Sequence, residues 1–262
     1  MPDFPTPTML TPAPGTPTLA NRLAMRDRPP GAPLLRQEWG DLLFMHWPVP
    51  AELLQPHLPP RLQIDTYDGM AWLAVVPFRM SKVRTRVSPP VPGANEFLEL
   101  NVRTYVHLDG VPGVWFFSLD ATNALAVWAA RTFFNLPYLR ATMSLESPNP
   151  QLRQFKAERK HSGMPEATFR ATWTIGAPLP PPEPDSLAFF LTERYCLYAS
   201  NKACTKLYRG RVAHAPWPLH AANVLHYEST LLESHGLPTP EGLPLVNAGG
   251  SVSVELWPMQ RV

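Results

Sequence analysis

The stretch EFLELNVRTYVHLDGVPGVWFFSLDATNALAVWAARTFFNLPYLR, residues 96–140, reads as strand, turn, strand, helix and a proline-bearing exit. On its first strand Glu99, Asn101, Arg103 and Tyr105 stand at alternate positions, so their side chains leave the same face. Leu98, Leu100, Val102, Thr104 and Val106 take the other face. An acid, an amide, a guanidinium and a phenol on one face either meet water or line a polar cavity. The alternation alone leaves both open, and the choice separates a scaffold from an enzyme.

Working outward, Asp109-Gly110 turns this strand into the next, Gly113–Leu119, and Asp120 or Asn123 caps a helix to about Phe134. Leu125, Trp128, Ala129, Thr132 and Phe133 fall on one stripe, the expected core-facing side. Upstream, Glu38–Trp47 suits a buried strand, and Pro50 opens a short helix. Arg61–Thr66 and Met70–Met80 form a hairpin over Tyr67-Asp68-Gly69, and a Pro-rich loop covers Ser88–Gly93. Downstream, short strands are expected near Leu139–Leu145, Gln151–Arg159 and Ala167–Ile175. A short helix follows Asp185, a hairpin spans Arg194–Ala213, and Gly249–Trp257 is a last strand.

The sum is about ten strands and two or three helices, an α+β chain that is mainly antiparallel β, a sandwich or a barrel. No glycine-rich phosphate loop or strand–helix alternation supports a doubly wound sheet. Residues 1–33 are rich in Pro and Thr and read as a disordered or loosely draped tail, with one domain over residues 34–262.

Composition narrows the function classes. The 262 residues are 45% hydrophobic, ample for a core, and the net charge of +2 gives no global signal for nucleic acid or an anionic membrane. The longest apolar run, Ala124–Ala130, is too short to span a bilayer. Two cysteines, Cys196 and Cys204, make no disulfide scaffold, so a reduced cytoplasmic chain is the default. His214, His220 and His226 are six apart, which matches neither strand nor helix ligand spacing, so no metal and no cofactor is expected. G-x-S-x-G is absent, so no serine nucleophile elbow is present.

The segments HWPVPAELLQPHLPPRLQIDTYDGMAWLAVVPFRM, ELNVRTYV, GVWFFSLDATNALAVWAAR, FLTERYCLY and LYRGRVAHAPWPLH resemble, in order, the YqjF-like family, grouped with the acetoacetate decarboxylase-like fold. The resemblance implies a closed β-barrel or cone with a few flanking helices. In the decarboxylase a glutamate on an inward strand reaches the active site, and Glu99 falls there. A lysine after the helix forms a Schiff base, and here Tyr138 stands at that position with Leu139 beside it. Pro48 lies near the place of a further arginine.

A phenol forms no imine, so Schiff-base decarboxylation is not expected. The five lysines, Lys82, Lys156, Lys160, Lys202 and Lys206, lie away from the helix exit in sequence, and Lys82 reads as a solvated surface residue. The catalytic candidates are Glu99 as acid or base, Arg103 as a bidentate carboxylate holder and Tyr138 as a hydrogen-bond donor. The substrate-binding candidates are Arg79, Asn101, Trp115 and His214. The expected ligand is a small organic acid or carbonyl compound, with lyase-like chemistry on keto or hydroxy acids left open. The other class is a non-catalytic binding protein or homo-oligomer whose aromatics bury an interface.

Overall fold

Turn chemistry sets where the strands begin and end. The computed structural model describes residues 15–86, 89 and 95–262. Apart from Pro89, the loop expected over Ser88–Gly93 lies outside the described residues, as do residues 1–14.

Helix α1 (Leu19–Ala24) comes first, then β1 (Leu35–Gly40), β2 (Leu42–Val49) and α2 (Ala51–Leu54). Strands β3 (Gln63–Ile64), β4 (Ala71–Thr85), β5 (Phe97–Leu108) and β6 (Val111–Ala121) lead into α3 (Ala124–Phe133). Strands β7 (Tyr138–Asn149), β8 (Leu152–Arg159) and β9 (Thr168–Pro178) precede α4 (Leu187–Thr192). The rest comprises β10 (Cys196–Ser200), β11 (Leu207–Ala213), β12 (Leu219–Ser229), α5 (Leu231–Ser234), β13 (Leu245–Gly249), β14 (Val252–Leu256) and β15 (Gln260–Arg261).

Pairing runs β1-β14-β11-β10-β6-β7-β8-β9-β12-β13-β2-β4 and back to β1, a ring of 12 strands. Closure leaves these strands no open edge. The contacts are antiparallel except β10 with β6 and β6 with β7. Strand β5 pairs with both β4 and β6, so it divides the ring into two smaller circuits that share the β4–β5–β6 wall. Each circuit has its own core. Leu100 and Val102 of β5 face one, with Trp173, Phe169 and Phe155. Tyr105 and Phe97 face the other, with Phe44, Phe78 and Trp217. The polar face of β5 therefore points into an interior and not into solvent.

Several sequence expectations shift. Glu38–Trp47 is two strands, because Asp41 takes a left-handed φ of 52°. Strands β12 and β13 were not foreseen. Asn123 caps α3 by accepting from the Ala126 amide at 3.0 Å, whereas Asp120 stays on β6 and receives Arg159 at 2.7 and 2.8 Å. The stripe expected to face the core is outside: Leu125, Trp128 and Phe133 are 55, 56 and 64% exposed. The docked face is Ala126, Val127 and Ala130, whose small side chains let the helix approach the ring closely.

The segment read as a loose tail contains α1. Thr18 and Asn21 close a capping box, and Arg22 reaches back to Asp65 with two bonds of 2.6 and 2.7 Å. Asp65 is fully buried and also accepts from the buried Arg194 at 2.8 Å. Asp65→Ala would strand Arg194 without a counter-charge and is expected to cost about 3–5 kcal/mol in urea unfolding. Arg22→Ala, which leaves the Asp65–Arg194 pair in place, is expected to cost clearly less.

Candidate functional site

Strand β5 delivers Glu99, Asn101 and Arg103 into one narrow cavity of about 80 Å³. At roughly 10–15 Å³ per water-sized occupant, that is room for about half a dozen heavy atoms. The rest of the wall is mainly apolar, with Phe44, Phe78, Phe116, Leu119 and Trp217 among its residues. A register shift between Val102 and Arg103 in the β5–β6 pairing leaves Phe117 as the extra residue. Phe116 thereby faces the cavity while Trp115 and Phe117 pack against the cluster around Leu58, Leu62 and Tyr198.

Tyr138 enters from α3. The chain leaves the helix through Asn135, at φ 53°, then Leu136 and Pro137, and Tyr138 pairs in parallel with Leu119 of β6. Arg131 donates to the Tyr138 carbonyl at 2.7 Å, which ties the helix to the strand it feeds. The Tyr138 hydroxyl donates to Glu99 Oε2 at 2.6 Å, a short charge-assisted geometry when Glu99 is ionised.

Burial governs the acid. Glu99 is 2% exposed, and loss of water raises its pKa to about 8. Hydrogen bonds from Tyr138 and Asn101 pull in the opposite direction, and the charge of Asp120 adds to the rise. At neutral pH Glu99 is therefore mainly a neutral acid. Burial, and then Glu99 itself, hold the Tyr138 phenol well above its usual value.

Arg103 is half-buried and has no acidic partner among the described residues. Its guanidinium carbon lies 5.7 Å from the ring centroids of both Phe44 and Tyr105, and its Nε–H lacks an acceptor. The Asn101 Oδ1 atom is likewise buried without a donor. Behind them, the Tyr105 hydroxyl donates to the Leu191 carbonyl at 2.8 Å and so accepts from His46 Nε2 at 2.8 Å. One hydroxyl hydrogen thus fixes the His46 tautomer. Burial, and then the nearby Arg103 charge, keep His46 neutral by pushing its pKa well down. His46 was missed in the sequence; its position two residues after Phe44 on one strand face was the available signal.

The structure thus brings Glu99, Asn101, Arg103 and Tyr138 together and leaves three other candidates outside. Arg79 turns away to Asp41 and Glu96 at 3.2 and 2.8 Å. Trp115 lines an outer groove with Phe117 and Tyr198. His214 stacks on Tyr195 at 4.6 Å, outside the cavity wall. All five lysines are exposed, and Lys82 pairs with Glu38. Among the described residues no group of three His, Cys, Asp or Glu side chains is arranged to hold a metal.

The raised Glu99 pKa fixes a sign. Between the unfolded value near 4.5 and the folded value near 8 the native state holds a proton that the unfolded chain has lost. Stability from this group is complete below the unfolded pKa and declines as pH rises through the window, by at most about 1.4 kcal/mol per pH unit. Urea midpoints measured from pH 5 to pH 8 are expected to show this decline in the native chain, with a shallower slope in Glu99→Gln.

With this geometry in place, known proteins supply a frame. Residues 36–252 match the model of the DUF2071 family, described as an uncharacterized conserved protein. The chain is 42% identical over 234 residues to the uncharacterized protein YqjF of Bacillus subtilis (strain 168), covering 89% of this chain and 94% of that one. Among solved structures, the enduracididine biosynthesis enzyme MppR complexed with pyruvate aligns with a TM-score of 0.64 at 14% identity, covering 88% of this chain and 91% of that one. An acetoacetate decarboxylase-like enzyme from Sphingomonas wittichii RW1 aligns at 0.60 with 13% identity over 88 and 94% of the two chains. An acetoacetate decarboxylase aligns at 0.57 with 13% identity over 89 and 90%. At these identities the structural likenesses establish architecture alone. The chain belongs to the DUF2071 family, to which its resemblance to YqjF also points, and it carries the acetoacetate decarboxylase-like fold.

Proposed function

We propose that this protein binds a small organic acid or carbonyl compound in the cavity between Glu99, Arg103 and Tyr138. The observation that carries this reading is Arg103, a cation without an acidic partner among the described residues that faces a narrow, largely apolar space. A ligand carboxylate would supply the missing acceptor through charge-assisted bonds. Glu99, neutral at pH 7, would stand on the same wall as an acid able to give a proton to a carbonyl oxygen and take it back. Tyr138 would hold that carboxyl group in place. The pyruvate complex of the structurally similar MppR supports a short 2-oxo acid as the first ligand to test.

Acetoacetate decarboxylation through a Schiff base is not part of this proposal. The position the resemblance assigns to the amine holds the Tyr138 phenol, and no lysine lines the cavity. Lyase-like chemistry on keto or hydroxy acids that passes through acid–base steps fits the residues present. One observation favours a non-catalytic, interaction-based role instead, the exposed Leu125, Trp128 and Phe133 side chains of α3.

Calorimetric titration of short keto, hydroxy and enoic acids into the native chain and Arg103→Met is the test. Binding of at least one acid is expected, weakened by roughly tenfold or more in the variant, as befits loss of a charged hydrogen bond worth about 1.5–3 kcal/mol. A folded native chain that binds none of them would remove the reading. Borohydride should trap no acetoacetate on any lysine.

A further inference from the structure

Strand β1 has two working faces. Gln37 and Trp39 line the inner cavity, while Arg36 and Glu38 alternate with them and face an outer recess of about 570 Å³ that Gln37 also borders. This recess collects Arg26, Arg28, Arg36, Lys82 and Arg84 from three parts of the chain. Its lining carboxylates are Glu38 and Glu255, and Glu193 meets Arg26 from outside the lining, so five cations face three anions, an excess of two. Glu255 is shared by Arg28 at 2.7 Å and Arg36 at 3.1 Å, and Glu38 is taken by Lys82. Arg26 leans toward Glu193 at 3.5 Å. No ion pair or hydrogen bond engages the Arg84 side chain among the described residues.

Two features of the backbone make this concentration of charge costly. Arg36 and Arg84 are direct cross-strand partners on β1 and β4, a like-charge pairing that opposes the sheet. The pairing is irregular just beyond them, between Arg36 and Glu38, and Lys82 sits there with φ 53°, a left-handed conformation that disfavours a side chain. Cations from β1 and β4 are thereby aimed into one concavity. An anion bound there offsets the repulsion, and a recess rich in one sign focuses the field on such a ligand. Guanidinium groups suit a tetrahedral oxyanion because each can give two parallel hydrogen bonds.

We propose that this recess binds a phosphate group, either inorganic phosphate or the phosphate of a small ester, at a site separate from the Glu99–Arg103 cavity. The proposal stands apart from the reading of that cavity, which concerns a carboxylate on the other face of β1.

The test is calorimetric titration of the full chain with inorganic phosphate and with glycerol 3-phosphate, at ionic strength held constant with chloride. Arg84→Gln and Lys82→Gly are the variants, with melting temperatures recorded unliganded. Both anions are expected to bind the native chain, and each variant is expected to weaken binding by roughly tenfold or more. Lys82→Gly should melt no lower than the native chain, because glycine accepts the left-handed backbone, so its loss of binding cannot be assigned to misfolding. Tighter binding of the ester would assign the recess to a phosphorylated organic molecule, and equal binding to the phosphate group itself. No heat from either anion with the native chain, or unchanged affinity in both variants, would overturn the proposal.

Discussion

A carboxyl group closed away from water is the constraint on which this molecule turns. Glu99 sits on the strand that divides the ring, and among the described residues Tyr138 and Asn101 are the side chains that bond to it. Tyr138 arrives from the far end of α3, through a tight exit and a parallel pairing with β6. Asn101 comes from two residues along β5. If β5 lay at the rim, Glu99 would be an ordinary ionised surface acid. Placed between two cores, it keeps its proton near neutrality, because the charged form has lost its water and gained too little in return. The same closure puts Arg103 beside aromatic rings, with no acid in ion-pair contact among the described residues. Neutral acid and unpaired cation are thus two results of one topology.

Support for this arrangement extends well beyond the cavity. The His46–Tyr105–Leu191 chain pins the ring on which the Arg103 guanidinium rests. Tyr105 also lies 4.8 Å from the guanidinium of Arg194, whose counter-charge is Asp65. Asp65 in turn anchors Arg22 and with it α1. A buried network of this kind contributes little net stability when complete and costs much when one member is removed, which favours a single arrangement of the site floor.

How far the residues revealed this in advance follows from the range of each interaction. The shared face of Glu99, Asn101, Arg103 and Tyr105 was legible, because a strand has period two and the polar positions kept it. Whether that face met water was not, since the answer depends on pairings between residues far apart in the chain. The α3 stripe misled for a related reason. Helical spacing identifies faces but not which one docks, and here small residues won over large ones. Strand β12 escaped notice because LHAANVLHYES lacks clean alternation, and the ring needs it only to bridge β9 and β13. The N-terminal composition masked a capping box and one arginine with a buried partner. Resemblance pointed to Glu99 and Tyr138, which meet in one cavity. Arg79 and Trp115 fall on the faces of β4 and β6 that point away from the cavity, and His214 lies in a loop outside its wall.

The most direct test of the account is the protonation state of Glu99 in the folded chain at pH 7. Infrared difference spectra between pH 7 and a pH above 9, recorded for the native chain and Glu99→Gln, would isolate it. The account predicts a protonated-carboxyl C=O band at pH 7 that disappears at the higher pH and is absent from the variant. A native spectrum with no such band, and carboxylate absorption from Glu99 already present at pH 7, would contradict it.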